Sequence, residues 1–403
     1  MLKYILQRLG FAVVTLFVII VIVYLSVAIF SNNPFVERAQ NSSQGGEGSA
    51  SVGSQVYIDT MRRYFNQSVN YHLTPDVPFD TKNPTFWFNL KVNPFVRLFY
   101  WFKDIFNKDH PFGLPYNEDV FTKYFDMNDP NKTIPALFFK FLKFSIIVTL
   151  PAFVISASLG IVLGVIAGYK RGKFFDVSVN FFSLVFVALP SFVLVPIFIS
   201  VLLSFNVPPQ AYNFTDKTVL DTNSIGNIIL SWLPPIFIIV LGSLSGYITF
   251  TRNQVVTVLT SNYILIAKSK GLGKFEIFTK YVLRNISIPL ATAIIPSYIG
   301  LLSGGIIIET YWQIPGTSQT FAQAFPNGEI NIIMFSNVLF TALGLFTELL
   351  VDVVYTFLDP RIKYASPSRY SVKSLLTAKW SREAQFRELL KANNSQEGTL
   401  TND

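Results

Sequence analysis

Two carboxylates that could carry protons or cations lie inside an apolar stretch near the end of the chain. Glu348 and Asp352 fall in the segment 332–358, and a spacing of four residues puts them on one face of a helix. Acids in such a helix mark ion pathways or meet basic residues of neighbouring loops. At 1.5 Å per residue, Glu348 lies about 24 Å from Ile332, close to one end. The pairing interpretation is therefore favoured over an ion site.

The other groups that could support catalysis do not form a catalytic pattern. A phosphate-binding loop has four residues between its glycines and a Ser or Thr after its lysine; GYKRGKF at 168–174 has three, and Phe174 follows Lys173. Cysteine is absent, which excludes thiolate chemistry. His72 and His110 share one hydrophilic stretch, where exposed histidine is favoured over metal ligation. We expect no catalysis, no metal site and no cofactor bound by this chain.

The composition indicates an integral membrane protein. Of 403 residues, 51% are hydrophobic and 14% charged, with a mean hydropathy of +0.42, whereas ordinary soluble domains are about 25% charged. The net charge of +8 could suggest nucleic acid. The basic residues instead cluster beside apolar runs, so we expect membrane lipid and no nucleic acid as the contact.

Six segments are long and apolar enough to cross a bilayer, which requires about 20 residues. The first exceeds a signal-peptide core and lacks a small-x-small cleavage site, so we interpret it as a retained helix. The sequence thus predicts an all-α membrane protein with six transmembrane helices. The segments are 9–30, 144–169, 177–205, 222–251, 285–308 and 332–358.

Lysine and arginine in short loops predict the orientation, because such loops stay in the cytoplasm. Lys3 and Arg8 precede the first segment, three basic residues lie in 170–173, and 251–285 holds six basic residues and one acid. Both termini are therefore expected in the cytoplasm. The predicted parts are 1–30 with the first helix, an extracytoplasmic insertion 31–143 with a flexible linker 41–55, a five-helix core 144–364 with a cytoplasmic loop 252–285, and a cytoplasmic tail 365–403.

An aromatic stretch at 93–113 predicts an amphipathic helix in the insertion. Its apolar residues recur at steps of three and four, which favours a helix on the outer bilayer surface or on the bundle, with a partner protein as the alternative. The residues are Phe95, Leu98, Phe99, Phe102 and Phe106.

The cytoplasmic loop is predicted to contain a short helix that ends at Gly271. Ser261 or Asn262 can cap its start, and glycine can take the left-handed conformation that ends it. Tyr263, Ile266, Ala267 and Lys270 are expected on one face. An amphipathic run at 275–285 is then expected to rise into the fifth segment, with Pro289 in its first turn. The pattern is typical of a docking element or of an interfacial helix whose lysines meet lipid headgroups.

The same loop resembles a known family signature. YILIAKSKGLGKFEIFTKYVLRNISIP, 263–289, is similar to the cytoplasmic loop of binding-protein-dependent ABC importer permeases, specifically the oligopeptide/dipeptide branch. Ala267 and Gly271 match the Glu-Ala-Ala-x3-Gly pattern, whereas Leu265 and Ile266 replace its first Glu and Ala. Fourteen residues separate Gly271 from the final Ile-Ser-Ile-Pro, the longer spacing of the peptide branch.

Other stretches resemble the same branch, although Asn262 stands where that branch typically has an acid. The resemblance covers about 1–30 and 95–364. The matching stretches are MLKYILQRL at the start, GIVLGVIAGYKRGKFFD at 160–176, LPSF at 189–192, ETYWQIPG at 309–316 and LLVDVVYTFLDPRIKY at 349–364.

The resemblance implies a type I ABC importer permease fold in a bacterial plasma membrane. Such a permease pairs with a second homologous permease subunit and with two ATP-binding subunits, which hold ATP and Mg. A lipid-anchored extracytoplasmic binding protein delivers the oligopeptide substrate. By position in the motifs, the resemblance implies three groups of functional residues. The residues that dock the ATPase are Tyr263, Ile264, Ala267, Lys268, Ser269, Lys270, Gly271 and Leu272. Those that shape the outer loop are Glu309, Pro315 and Gly316, and those that close the inner face are Asp359, Pro360 and Arg361.

Two alternatives stay open. A nickel or glutathione permease of the same family would share these motifs, but the predicted spans contain no histidine or cysteine, the ligands that nickel favours. A self-contained secondary transporter would predict inverted repeats and polar residues at mid-membrane. No convincing repeat is visible, which favours the ABC permease.

Overall fold

The computed structural model of the chain describes residues 2–44, 54–117, 133–205, 207, 209–358 and 377–388. Within these ranges the regular structure is helical, without a strand. The first helix and the insertion contain α1 (Leu2–Phe30), α2 (Pro34–Gln44), α3 (Gln55–Asn70), a 3-10 helix (Phe86–Asn89) and α4 (Pro94–Ile105). The core contains α5 (Ile134–Tyr169), α6 (Phe174–Ala188), α7 (Ser191–Ser204), α8 (Lys217–Thr222), α9 (Ile225–Leu259), α10 (Asn262–Ser269), α11 (Lys274–Ile277), a π-helical turn (Phe278–Val282), α12 (Leu283–Ser303), α13 (Ile306–Tyr311), α14 (Thr317–Ala324) and α15 (Ile330–Leu358).

Five helical segments are long and apolar enough to cross a membrane, or six if the pair α6 and α7 counts as one span. The predicted third span over 177–205 is helical but bent, since its two helices, α6 and α7, meet at 102°. The break lies at Leu189, whose backbone is extended (φ −85°, ψ 112°). Pro190 follows it, and proline disfavours the helical conformation of the preceding residue.

The fifth span begins earlier than the sequence predicts. Helical backbone starts at Lys274 and continues through the π-helical turn into α12, so the predicted amphipathic run and the span form one segment. Pro289 therefore lies inside the helix and not in its first turn, which corrects that prediction. A pattern of apolar residues marks where a helix enters lipid, not where its backbone hydrogen bonding begins.

The insertion shares a hydrophobic core with α1 and the start of α15. Phe35, Met61 and Trp87 are among its fully buried side chains. The predicted linker 41–55 is partly wrong, because 41–44 complete α2 and Gln55 begins α3. The rest of that linker lies in 45–53, outside the described residues.

Helix α4 packs on α1, which confirms the bundle interpretation but corrects the predicted face. Leu98 and Trp101 are buried, and Trp101 contacts Tyr24 with ring centroids 5.5 Å apart. Phe95 and Phe99 point outward instead. The aromatic spacing alone could not distinguish the two faces, because apolar residues occur on both.

Arg8 and Asp352 join the first and last helices. Arg8 Nη1 lies 3.0 Å from Asp352 Oδ2, whereas Glu348 is exposed. The acid of α15 thus meets a basic residue at the start of α1, as the pairing interpretation predicted.

Helices α5 and α9 form the closest helix pair in the core. A Cβ on Gly164 would lie 2.6 Å from Thr251 Cβ, and one on Gly168 would lie 2.7 Å from a Val255 methyl group. Gly160 is equally close to Tyr247. Glycine at every fourth position lets two membrane helices approach closely. The spacing was visible in the sequence but its packing role was missed.

Candidate functional site

The short helix of the loop predicted to be cytoplasmic, α10, follows α9 after only two residues. Ser261 takes the extended conformation of a helix N-cap (φ −75°, ψ 151°), but its hydroxyl donates to the Val258 carbonyl, 2.5 Å away. The predicted side-chain cap is therefore not formed by Ser261. Asn262 is the first residue of the helix.

The predicted end of α10 is confirmed at Gly271. Its φ is +77°, the left-handed conformation. The Gly271 N–H donates to the Lys268 carbonyl at 2.9 Å, and the Leu272 N–H donates to the Ala267 carbonyl at 3.3 Å. These two bonds form a Schellman motif, which satisfies carbonyls left free at a helix end.

Two residues of α10 point into the protein. Ile264 and Ala267 are fully buried, whereas Tyr263, Ile266 and Lys270, which were predicted to share a face with Ala267, are exposed. In eight residues the apolar positions fit more than one face, and the contacts with the neighbouring helices decide which is buried. These side chains form one cluster, here called the anchor cluster: Val255, Val258, Ile264, Ala267, Ile277, Val282, Ile286 and Leu290, with Leu272 packed against it.

The opposite face of α10 is exposed and mixed in character. Leu265 and Ile266 are 58% and 56% exposed, and Lys268, Ser269 and Lys270 are exposed beside them. Apolar side chains on a polar surface segment are typical of an interaction surface. The sequence analysis treated Leu265 only as a departure from a motif, and it placed Ile266 on one face with Ala267. Tyr263 is exposed on the same helix.

An ion pair ties the loop between α5 and α6 to the end of α9. Arg252 Nε donates to Asp176 Oδ1 at 2.5 Å, and Arg252 Nη2 donates to Asp176 Oδ2 at 2.7 Å. The Gly172 N–H donates to the same carboxylate at 2.9 Å. Paired hydrogen bonds between arginine and a carboxylate fix geometry as well as charge. The sequence did not predict that the loop 170–173 is joined to α9.

Glu309 is buried beneath the outer loop. Ser145 Oγ donates to Glu309 Oε1 at 2.7 Å, and the Ile314 N–H donates to the Glu309 carbonyl at 2.8 Å. A Cβ on Gly316 would overlap the Glu309 carboxylate, so a side chain there would displace the acid. Pro315 lies between the two, half-buried. The buried Glu309 side chain and the absence of a side chain at Gly316 thus determine the conformation of this loop. A contact between the loop and a binding protein stays a prediction.

The third predicted group lies elsewhere. Asp359, Pro360 and Arg361 fall outside the described residues. Within the described ranges, no three His, Asp or Glu side chains come close enough to hold a metal ion.

Comparison with known families decides the class of this chain. Residues 160–364, which include α10 and the anchor cluster, match the model of the binding-protein-dependent transport system inner membrane component. The chain belongs to this family.

The permease is similar to characterised oligopeptide and dipeptide permeases. It is 29% identical over 376 residues to the oligopeptide transport system permease protein OppB of Mycoplasma genitalium, an alignment that spans 93% of this chain and 80% of the relative. It is 25% identical over 366 residues to the dipeptide transport system permease protein DppB of Lactococcus lactis subsp. cremoris, spanning 90% and 100%. It is 31% identical to OppB of Mycoplasma pneumoniae over 268 residues, 66% and 68%.

The family gives the permease its fold and its setting. It is a multi-pass membrane protein with the type I importer permease fold, and it is the permease subunit of an ABC importer of the oligopeptide/dipeptide family. The alignment with the Mycoplasma genitalium relative spans 93% of the chain and so extends into the insertion. The resemblance of short motifs had left 31–94 without a counterpart.

Proposed function

We propose that this permease forms half of a translocation pathway for oligopeptides and that α10 couples it to an ATP-binding subunit. The observation that carries the proposal is the division of α10 into two faces. Ile264 and Ala267 fix the helix in the anchor cluster, while Leu265, Ile266 and the lysines face outward. A helix held rigidly on one side and exposed on the other is suited to transmitting motion from a partner.

The anchor cluster explains how such motion would reach the membrane helices. It joins α10 to Val255 and Val258 of α9 and to Ile286 and Leu290 of α12. Packed interiors transmit displacement because they contain few voids. A shift of α10 would therefore move the inner ends of α9 and α12 together. The pair of Arg252 with Asp176 would carry the α5–α6 loop along with α9.

The partners follow from the same proposal. A second homologous permease completes the pathway, and two ATP-binding subunits hold the ATP and Mg that drive it. A lipid-anchored binding protein delivers the peptide on the side of Glu309, Pro315 and Gly316. Both termini lie in the cytoplasm, as the distribution of lysine and arginine in short loops supports.

Peptide is the favoured substrate over nickel or glutathione. The similar permeases named above are oligopeptide and dipeptide permeases. The two histidines of the chain, His72 and His110, lie outside the predicted spans, and cysteine is absent. A nickel pathway would favour such ligands. Uptake of labelled tetrapeptide, glutathione and nickel by the complete importer separates the three substrates.

Cysteine crosslinking tests the docking role of α10. Because the chain has no cysteine of its own, every crosslink to it comes from the introduced residue. Ile266→Cys or Lys268→Cys is introduced into the full chain, co-expressed with its ATP-binding subunits carrying cysteines in their permease-facing cleft. We expect crosslinks from both positions. Thr222→Cys, exposed at the end of α8 just before the start of α9, is the matched control. Crosslinks from Thr222, or none from α10, would overturn the proposal.

A further inference from the structure

The insertion borders a half-open polar cavity of about 180 Å³ that the transport proposal does not use. It lies between α1, α4, the end of α3, the segment after α4 and the start of α15. This volume is well above the roughly 10–15 Å³ that a single water needs, so the cavity has room for a small molecule. Both histidines of the chain line it, together with Arg97, Trp101, Asp104 and Tyr116.

Arg97 carries a buried charge at this cavity. The residue is only 8% exposed, its Nη1 donates to the Ala28 carbonyl at 3.3 Å, and its Nε has no hydrogen-bond partner in the protein. The hydroxyls of Tyr24 and Tyr116 lie beside its guanidinium. Within the described residues, no carboxylate lies within ion-pair distance of Arg97. Buried charges are usually paired, because burial without a counter-charge is unfavourable.

Two further donors lack partners at the same place. Trp101 Nε1 and His110 Nδ1 are buried without a hydrogen bond in the protein. Buried polar side-chain atoms are normally satisfied, and Arg97 Nε and Trp101 Nε1 can only donate. Unpartnered nitrogens in three residues that line one cavity therefore indicate a ligand with acceptor atoms. Two stacked rings, His72 and Tyr100 with centroids 3.8 Å apart, supply a flat wall for its apolar part.

The charge of the cavity favours a single negative charge on that ligand. Asp104 lies seven residues after Arg97 on α4, two turns along the same face, about 10.5 Å away along the axis. Burial raises the pKa of the Asp104 carboxyl. The second negative charge of a doubly charged phosphate would lie near the Asp104 carboxyl. A carboxylate has one negative charge, which the positive charge of Arg97 balances. The planar guanidinium also matches a carboxylate in shape.

We propose that this cavity is a binding site for a small organic monocarboxylate, held by Arg97 with the Trp101 and His110 nitrogens. A carboxylic acid and an amino acid both offer this group. Asp104 is placed to meet an ammonium group if the ligand is an amino acid. The site lies in the insertion and is separate from α10 and from the anchor cluster.

The test uses the full chain in detergent and saturation-transfer NMR titrations. The probes are isovalerate and L-valine, which differ only by an amino group, with isobutylamine and inorganic phosphate as negative controls. We expect a carboxylate probe to bind and both controls to fail. Tighter binding of L-valine identifies an amino-acid site, and tighter binding of isovalerate a carboxylic-acid site. Failure of both, or equal binding of phosphate, overturns the proposal.

Three variants connect the binding to the cavity. Arg97→Gln should weaken the carboxylate probe about 10- to 100-fold, as expected for a charged hydrogen bond. Trp101→Phe keeps an aromatic ring, although a smaller one, and removes the N–H, so it should weaken binding about 2- to 10-fold. This variant carries the test if Arg97→Gln does not fold. Lys103→Gln removes an exposed charge from the same helix and should bind normally. Unchanged binding in a folded Arg97→Gln or Trp101→Phe contradicts the assignment.

Discussion

Gly164 of α5 and Thr251 of α9 lie so close that a Cβ on the glycine would be 2.6 Å from Thr251 Cβ. The same Cβ would lie 2.8 Å from the Ile248 carbonyl oxygen and 3.1 Å from the Arg252 N atom. Because backbone atoms surround it, no side-chain movement can make room. The contact fixes α9 just before the residues that lead into α10.

Gly164→Ala should therefore destabilise the helix pair. Forcing a methyl group into a packed interface costs about 1–3 kcal/mol. Thermal unfolding of the purified permease measures the loss. Gly246→Ala on α9 is the matched control, because its Cβ would meet nothing within 4 Å and alanine favours helix. Equal unfolding temperatures for the two variants would show that the close approach is not required.

Gly271 should be needed for transport, and Gly273 should not. A residue other than glycine in the left-handed conformation costs about 1–2 kcal/mol, and a β-branched residue costs more. We expect Gly271→Val to abolish peptide uptake while membrane insertion persists. Gly273 has a φ of −69° and open space around it, so Gly273→Ala should transport normally. Normal uptake by Gly271→Val would count against the coupling role.

The pair of Arg252 and Asp176 should contribute to stability as a unit. Asp176 is buried, so Arg252→Gln leaves an acid without its partner and costs about 3 kcal/mol. Adding Asp176→Asn should recover part of that loss, as measured by a double-mutant cycle in unfolding experiments. The exposed pair of Lys280 and Glu276 is the comparison, and Lys280→Gln should change little. Strict additivity of the Arg252 and Asp176 variants would contradict the coupling.

The junction between the insertion and α15 should weaken as pH rises. Glu329 is buried, and burial raises its pKa from 4.5 to about 7. Its Oε2 accepts from the Tyr116 N–H at 2.7 Å, and Arg38 Nη2 lies 3.7 Å from its Oε1. The folded state thus holds the proton more tightly than the unfolded state. The stabilisation that the protonated Glu329 carboxyl gives to the folded state is complete below pH 4.5 and is lost as pH rises towards 7.

Glu329→Gln removes this dependence. Unfolding temperatures of the two proteins between pH 4 and pH 8 give the measurement, and their difference should change across the window set by the Glu329 pKa. Glu37→Gln on α2 is the control, since it leaves the buried acid in place. A parallel pH profile for Glu329→Gln and the unaltered protein would refute the expectation.

Much of the architecture could be predicted from the length of the apolar segments and from single residues. Five of the six predicted spans are single long apolar segments in the structure, and the other is the bent helix pair α6 and α7. About 20 apolar residues have few structures other than a helix available in lipid. The end of α10 followed from Gly271, since glycine alone adopts that conformation without strain. The acid at Asp352 was expected to meet a basic residue, and it meets Arg8.

Which surfaces face each other was decided by the tertiary structure. The sequence could not show that Ile264 and Ala267 are the buried pair of α10, that Glu309 lies under the outer loop, or that Arg97 borders a cavity. Each depends on contacts between residues far apart in the chain. Local periodicity determines that a helix forms and which positions share a face. Only packing against other helices determines which face is buried, because apolar side chains occur on several faces of the same helix.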